Sequence, residues 1–531
     1  MYKRNDFVTG LKILAVILTS ASVFGGEQRQ FGEAWSRNMV SSEKGLPAVF
    51  DLETGRNVKW VAELGTESYA TPVVAGGRVF IGTNNGRPRD KRQEGDRGVF
   101  LCLEEETGRL LWQLVAPKLE EDPFYDWPNT GMSSPATVEG DRVYLVSNRA
   151  QLLCMDVRGM ANGNDGPFKE EGKLMTRRPT NGAPVMELEA GPKDADVIWM
   201  FDMFKQAGIW PHDGAHSAVM IRGNYLYLNT GTGVDNTHKK IRTPDAPSLI
   251  VVDKRTGKLV AREREGIAPN IFHATWSGPS AGKVGRKDVI FFLGGNGIVY
   301  GFEPWEMAER KKKYSTAEYA KKDRVGTLKR LFAYDFDPSG PKTEVHRYNT
   351  NRREGPSNFY GMPVFADGSL FVAGGGDIFW GKNEAWLKRL DFAVEGGEIE
   401  VKEVWSFALG KHVLSTPAVK DGLVYIADAN KEVHCVDEKT GVELWKHEAK
   451  GEFWASPLVA DGKVYIGSRR GDFLVLAAGR EKKVLGVMDL KDPIAATAVA
   501  ANGTLYVGSM RNLYAIKEGA SAVKLEAKVL R

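Results

Sequence analysis

Twelve residues able to bind or react share one kind of place in this sequence, the few positions just ahead of a short apolar strand. The segments read YDWPNTGMSSP, IWPHDGAHSAV, NIFHATWSGPS, SNFYGMPV, KHVLSTP and EFWASPL. They carry Trp127, Asn129, Trp210, His212, Asp213, His216, Asn270, His273, Trp276, Tyr360, His412 and Trp454. The chain has only 8 histidines, so finding His212, His216, His273 and His412 all in such entries is a concentration that composition does not explain. Three chemistries fit. Imidazole and carboxylate are transition-metal ligands, which makes His212, Asp213, His216 and His273 candidates, although no tight motif such as HExxH fixes their geometry. Tryptophan faces beside Asn and Asp oxygens could instead hold a flat ligand next to Ca²⁺, a cation that prefers oxygen donors. In the third reading the rings and imidazoles fill and hydrogen-bond the strand ends, and form a binding funnel without chemistry. Asp213 is the one candidate for a catalytic group.

A repeat of roughly 40 residues positions these entries. STPAVKDGLVYIADANKEVHCVDEKTGVELW begins at Ser415, and ASPLVADGKVYIGSRRGDFLVL at Ala455. PAV or PLV is an apolar strand, DG a hairpin turn, VYI an alternating second strand and HCVD a third. KTG then turns the chain into a fourth strand that ends on Trp445. Copies recur as ATPVVAGGRVFIG with FLCLEEETGRLLW, SSPATVEGDRVYLVSNRAQLLCMD, and HSAVMIRGNYLYLN with LIVVDKRTGKLV. Looser ones are WSGPSAGKVGRKDVIFFLGGNGIVYGFE, FYGMPVFADGSLFVAGG and ATAVAANGTLYVGSMRNLYAI. The last copy lacks its closing strand, whereas Asp51 to Trp60 is a fourth strand with no repeat ahead of it. The spacing predicts an all-β, eight-bladed propeller with four-stranded antiparallel blades, the last blade closed by an N-terminal strand so that no sheet edge is left open. Such a ring gathers the strand entries around one central funnel.

At the turns into its fourth strands the chain resembles the PQQ-like propellers, named for the pyrroloquinoline quinone (PQQ) repeat. In that family a blade ends on Asp, then Thr-Gly, then a Trp that packs against the neighbouring blade. Matching residues are Asp51, Thr54, Gly55 and Trp60; Thr107, Gly108 and Trp112, with Glu104 or Glu105 replacing Asp; and Asp437, Thr440, Gly441 and Trp445. Asp253, Thr256 and Gly257 match without the Trp. The resemblance implies the fold and leaves function open, since the family includes quinone-dependent alcohol and sugar dehydrogenases as well as outer-membrane assembly scaffolds. In the former case PQQ and Ca²⁺ would occupy the funnel. Many of those dehydrogenases carry an adjacent Cys-Cys disulfide. Here Cys102, Cys154 and Cys435 lie apart, each two residues before the acidic position of its own repeat, which predicts three buried, unpaired third-strand thiols. No CxxCH is present, so haem c is excluded as an attached cofactor.

The 72 basic and 68 acidic residues nearly cancel, and a net charge of +4 gives no broad basic surface for nucleic acid. Lys3, Arg4, the apolar LKILAVILTSASVF, Val23 and Gly25 read as a signal peptide over residues 1–25, followed by one propeller domain over 26–531. The expected location is the periplasm or cell envelope, with no transmembrane span in the mature chain. Insertions at about 159–196, 234–247 and 303–330 read as rim excursions, the last a solvated basic helix. THKKIRTPDAPS from Thr237 and YNTNRREGPSNF from Tyr348, with Arg352 and Arg353, offer forks to an acidic or sugar-like ligand, and GGGD from Gly374 reads as a strand-end turn. The expectation is an exported scaffold that binds a small molecule or an envelope protein. The alternative is a PQQ- and Ca²⁺-dependent oxidoreductase acting on alcohols or sugars.

Overall fold

The fold was read from a computed structural model, which describes residues 26–119, 125–176, 187–214, 216–306 and 325–521. Among these residues eight sheets follow one another around a ring, each with four antiparallel strands running from an inner first to an outer fourth, and two of them with a short fifth strand added in parallel, Val40–Ser41 and Gly326–Thr327. Blade 1 runs from Val73–Ala75 to Leu110–Pro117, blade 2 from Thr137–Glu139 to Val197–Asp202, and blade 3 from Met220–Arg222 to Lys258–Arg262. Blades 4 and 5 run from Ser280–Val284 to Arg330–Asp335 and from Val364–Ala366 to Glu398–Leu409. Blades 6 and 7 run from Ala418–Lys420 to Glu443–Glu448 and from Leu458–Ala460 to Val484–Asp489. Blade 8 begins at Val499–Ala501, and its outer strand is Arg56–Glu63, paired antiparallel with Asn512–Ser521. The N-terminal strand thus closes the ring as its sequence predicts.

Tryptophans on fourth strands clamp five of the eight blades to the next. The Nε1 groups of Trp60, Trp112, Trp199, Trp405 and Trp445 donate to the carbonyls of Glu105, Val157, Lys254, Glu438 and Gly479 in the following blades. Trp199 explains the Asp253-to-Gly257 turn that lacked its own Trp, because the ring that packs there comes from the preceding blade. A Cβ on Gly257 would lie 2.6 Å from the Trp199 ring. Cys102, Cys154 and Cys435 face Trp112, Trp199 and Trp445 across their sheets and are buried and free.

Residues 28–43 form a feature that the repeat did not announce. Inner strands of a propeller leave one backbone edge unpaired toward the axis, and buried N–H and C=O groups need partners. This segment supplies them on every blade. Its carbonyls at Gln28, Arg29, Trp35, Ser36 and Met39 accept from the amides of Val74, Val138, Ala281, Phe365 and Val459. The Asn38 amide bonds both backbone groups of Val419, Arg37 and Trp35 reach Ala218 O and Ile221 O, and Glu43 accepts from the amides of Asn502 and Gly503. The axis is therefore plugged at the exit ends of the inner strands.

Two insertions are more tightly held than surface excursions. The first includes the helix Glu171–Met175, which buries Leu174 and Met175 in the core of blades 1 and 2. The second, 234–247, folds inward and buries Val234 and Asp235. Most of the third insertion and the predicted signal peptide lie outside the described residues.

Candidate functional site

Asp377 organises the face of the ring opposite the plug. It follows the second strand of blade 5, Ser369–Gly375, in a return so tight that a Cβ on Gly376 would come within 1.7 Å of the Lys382 carbonyl. Asp377 is fully buried, and its Oδ1 accepts from the amides of Phe379 and Trp380 at 2.9 and 2.7 Å. Its Oδ2 accepts from the Tyr360 hydroxyl and lies 3.0 Å from Nδ1 of His273. Burial pushes this carboxyl upward, but His273 and the converging donors prevail and hold it near a pKa of about 2. Burial likewise opposes charge on His273, yet the Asp377 carboxylate outweighs it and raises this imidazole above its ordinary range.

With Nδ1 on Asp377, His273 turns its buried Nε2 inward, where it has no hydrogen-bond partner and lies 3.4 Å from Asp213 Oδ2. Asp213 Oδ1 lies 3.4 Å from Nε2 of His212, and that nitrogen lies 3.0 Å from Nε2 of His238. His212 enters blade 3, His238 sits between its second and third strands, and His273 enters blade 4. Asp213 and His238 adopt left-handed backbone with φ of 58° and 56°, a conformation unusual for non-glycine residues that aims both side chains toward the axis. Burial, reinforced by His273 and His238, drives His212 down to about 2, so it is neutral. Burial raises Asp213 to about 6.

Beside this cluster opens a funnel of about 400 Å³. Of the strand-entry residues, Trp127, Trp276, Tyr360 and Trp454 line it, together with Asp213 and His216. Tyr69, His238, Phe379 and Trp380 complete the wall. Trp276 packs on Tyr360 at 4.9 Å, and Tyr69 stacks on Trp454 at 6.1 Å. Below, the channel narrows past Ser133 and Thr416 to Phe31 of the plug.

Other expected residues are placed differently. His216 leans on Trp276 at 4.8 Å and bonds the Asp213 backbone carbonyl at 3.0 Å, so it stands apart from the imidazole cluster and His238 takes its place. Burial lowers His216 to about 4. Asn129, Trp210, Asn270 and His412 do not line the funnel. The Asn129 backbone bonds Asp96 and Asn84, Trp210 packs with Tyr125 and Phe204 under Arg242, Asn270 ends a 3₁₀ turn, and His412 Nε2 bonds Lys382 O at 2.8 Å. Arg352 spends its guanidinium on the carbonyls of Ile378, Phe379 and Gly381, bracing the Asp377 loop. His238 lay in the THKKIRTPDAPS stretch read for its basic groups, and Asp377 in the GGGD read as a turn; no repeat position marks either one.

The repeat itself has known relatives. Residues 400–483 match the PQQ-repeat family model described as outer membrane protein assembly factor BamB. The chain is an eight-bladed β-propeller that carries PQQ-type repeat sequence within residues 400–483. A BamB of Xanthomonas campestris pv. campestris is 34% identical over 101 residues, which covers 16% of this chain and a quarter (25%) of that protein's length. Among solved structures, BamB from Moraxella catarrhalis aligns over 87% of this chain and 98% of its own with a TM-score of 0.49 and 10% identity. Quinohemoprotein alcohol dehydrogenase from Comamonas testosteroni aligns over 94% and 82% with a TM-score of 0.43 and 14% identity.

The described residues of this propeller's funnel do not fit the quinone with Ca²⁺. PQQ is a tricarboxylate, and among the described residues that line the funnel there is no Lys or Arg. Ca²⁺ takes six to eight oxygens. Among the described residues Asp213 is the one carboxylate that lines the funnel, and it faces imidazoles, while both oxygens of Asp377 are already committed.

Proposed function

We propose that this protein is an exported ligand-binding propeller of the cell envelope, whose aromatic funnel takes a small ring-bearing molecule. The observation that carries this reading is the convergence of seven aromatic side chains, Tyr69, Trp127, Trp276, Tyr360, Phe379, Trp380 and Trp454, on one cavity closed below by the plug. Aromatic walls with a few convergent polar groups suit recognition by stacking and burial, with Asp213 and Thr130 available to orient the ligand. The BamB likeness within residues 400–483 supports a scaffold role at the envelope alongside it. No helix among the described residues is long and apolar enough to cross a membrane.

Intrinsic tryptophan fluorescence and thermal shift, read against cellobiose, xylose and cyclohexanol, test the funnel. A saturable response to at least one probe, lost in Trp276→Ala and Trp454→Ala, is expected. A flat response to all three, or one that both variants keep, refutes the reading.

A further inference from the structure

We infer that His212, His238 and His273, with Asp213 beside them, form a binding site for a divalent first-row transition-metal ion of the zinc class, at the wall of the funnel. The three imidazoles offer ligand atoms that all lie within 4.8 Å of one another. Ligands at the 2.0–2.1 Å of zinc–nitrogen and zinc–oxygen bonds in a tetrahedral shell stand about 3.3 Å apart. The Nε2 atoms of His212 and His238 stand 3.0 Å apart, close to that edge, and the Asp213 carboxylate flanks the group with Oδ1 3.4 Å from His212 and Oδ2 3.4 Å from His273.

Two further features point to an ion. First, His273 is 1% exposed, and its Nε2 makes no hydrogen bond and has only the Asp213 carboxylate 3.4 Å away, an expensive arrangement for a buried polar atom that a bound ion would relieve. Second, its Nδ1 rests on the buried Asp377 carboxylate, an outer-shell contact that fixes the tautomer and makes the inward nitrogen a better donor. The donor set is nitrogen-rich, which favours Zn²⁺, Co²⁺ or Cu²⁺ over Mg²⁺ or Ca²⁺. Asp213 and His238 also line the funnel, so the ion's remaining position would open toward a molecule bound there. The other two candidate clusters, Asp428, Glu432, His434 and Asp156, Asp165, Asp196, are tied up by Lys446 and by Arg142 and Arg158, and neither borders the funnel.

The test uses the full mature chain, stripped with chelator and titrated separately with Zn²⁺, Co²⁺ and Ca²⁺ by calorimetry, with visible spectra for Co²⁺. One Zn²⁺ or Co²⁺ per chain, intense tetrahedral Co²⁺ bands, and no saturable Ca²⁺ are expected. His238→Ala lies on a loop and should keep the wild-type melting temperature while weakening Zn²⁺ at least 100-fold; Asp213→Asn should weaken it about 10-fold. His434→Ala serves as control and should bind as wild type. No stoichiometric Zn²⁺, or Zn²⁺ binding that survives His238→Ala and is lost in His434→Ala, overturns the site. The inference does not depend on the funnel reading: organic probes that bind without metal, or metal that binds while every probe fails, tell the two apart.

Discussion

Replacing Gly108 by alanine shows how the ring is sealed at its seam, because this glycine lies beneath the tryptophan of the closing strand. Trp60 belongs to Arg56–Glu63, packs on Tyr506 of blade 8 at 5.9 Å, and donates to Glu105 O of blade 1. Gly108 has φ of 72°, and a Cβ there would come within 2.7 Å of the Trp60 ring. Left-handed backbone costs a non-glycine residue about 1–2 kcal/mol, and overpacking adds about 1–3, so Gly108→Ala should cost roughly 2–5 kcal/mol. Trp60→Ala should cost about 3–5 kcal/mol as a large-to-small core change. With the ring gone only the backbone strain at position 108 remains, so the double variant should be more stable than the sum of the singles by about 1–3 kcal/mol. Gly140 supplies the control: its φ is 58° and a Cβ there would meet nothing within 4 Å, so Gly140→Ala should show backbone strain and no coupling to Trp60. Urea unfolding of the four proteins measures the cycle. Additivity within about 0.5 kcal/mol would refute the docking of this ring on this turn as the contact that seals blade 8 to blade 1.

Two other outcomes follow from the plug and the buried imidazoles. Asn38→Ala removes both bonds to the Val419 backbone and leaves a buried amide and carbonyl unpaired, which should cost roughly 2–5 kcal/mol; a wild-type urea midpoint would contradict the plug's structural role. Acid should weaken the fold through His216, whose pKa falls from 6.5 to about 4 because burial disfavours its charge: the unfolded chain takes the proton first, so this stability is complete above pH 6.5 and is lost as pH falls. Asp213, raised from 3.8 to about 6, works in the opposite sense, its contribution present at low pH and lost as pH rises through about 6. Between pH 6.5 and 4, His216→Gln should therefore lose less stability than wild type, by roughly 1.4 kcal/mol per pH unit, and identical slopes in pH-dependent melts would refute the assignment.

The ring was legible in the sequence because every blade repeats the same mechanical solution. Apolar alternation, a Gly turn and a docking Trp each serve local geometry, so Asp437 to Trp445 and Asp51 to Trp60 declare their role wherever they occur. The funnel was legible in part for the same reason: Trp276, Tyr360 and Trp454 stand at a fixed offset before an inner strand, and the ring turns that offset into proximity. Asn129 and His412 stand outside that offset, eight and six residues ahead of their inner strands, where the Asn129 backbone amide bonds Asp96 and His412 Nε2 bonds Lys382 O. His238, Asp377 and Trp380 were hidden because they lie in connections between second and third strands, whose paths depend on tertiary contacts such as Arg352 on the Phe379 carbonyl. The plug was hidden for a related reason, since residues 28–43 have no strand periodicity of their own and take their order from the edges they cover.

The plug and the imidazole cluster share the same two blades. Arg37 is fully buried, and burial lowers its pKa only to about 9, so it stays charged while donating to Ala218 O and Pro279 O. Ala218 and Pro279 stand immediately before the inner strands of blades 3 and 4, two residues after His216 and three after Trp276. The entries that carry His212 and Asp213 on one side and His273 on the other are thus tied from below by one guanidinium. Imidazoles drawn from separate connections hold a spacing of a few tenths of an ångström only if the blades beneath them cannot slide, and a planar fork with several donors is better suited to that than a single point charge. Asp377 provides the matching constraint from above by joining blade 5 to His273. The cluster is therefore rigid because its supports come from outside the repeat, which is also why it sits where the repeat is least regular.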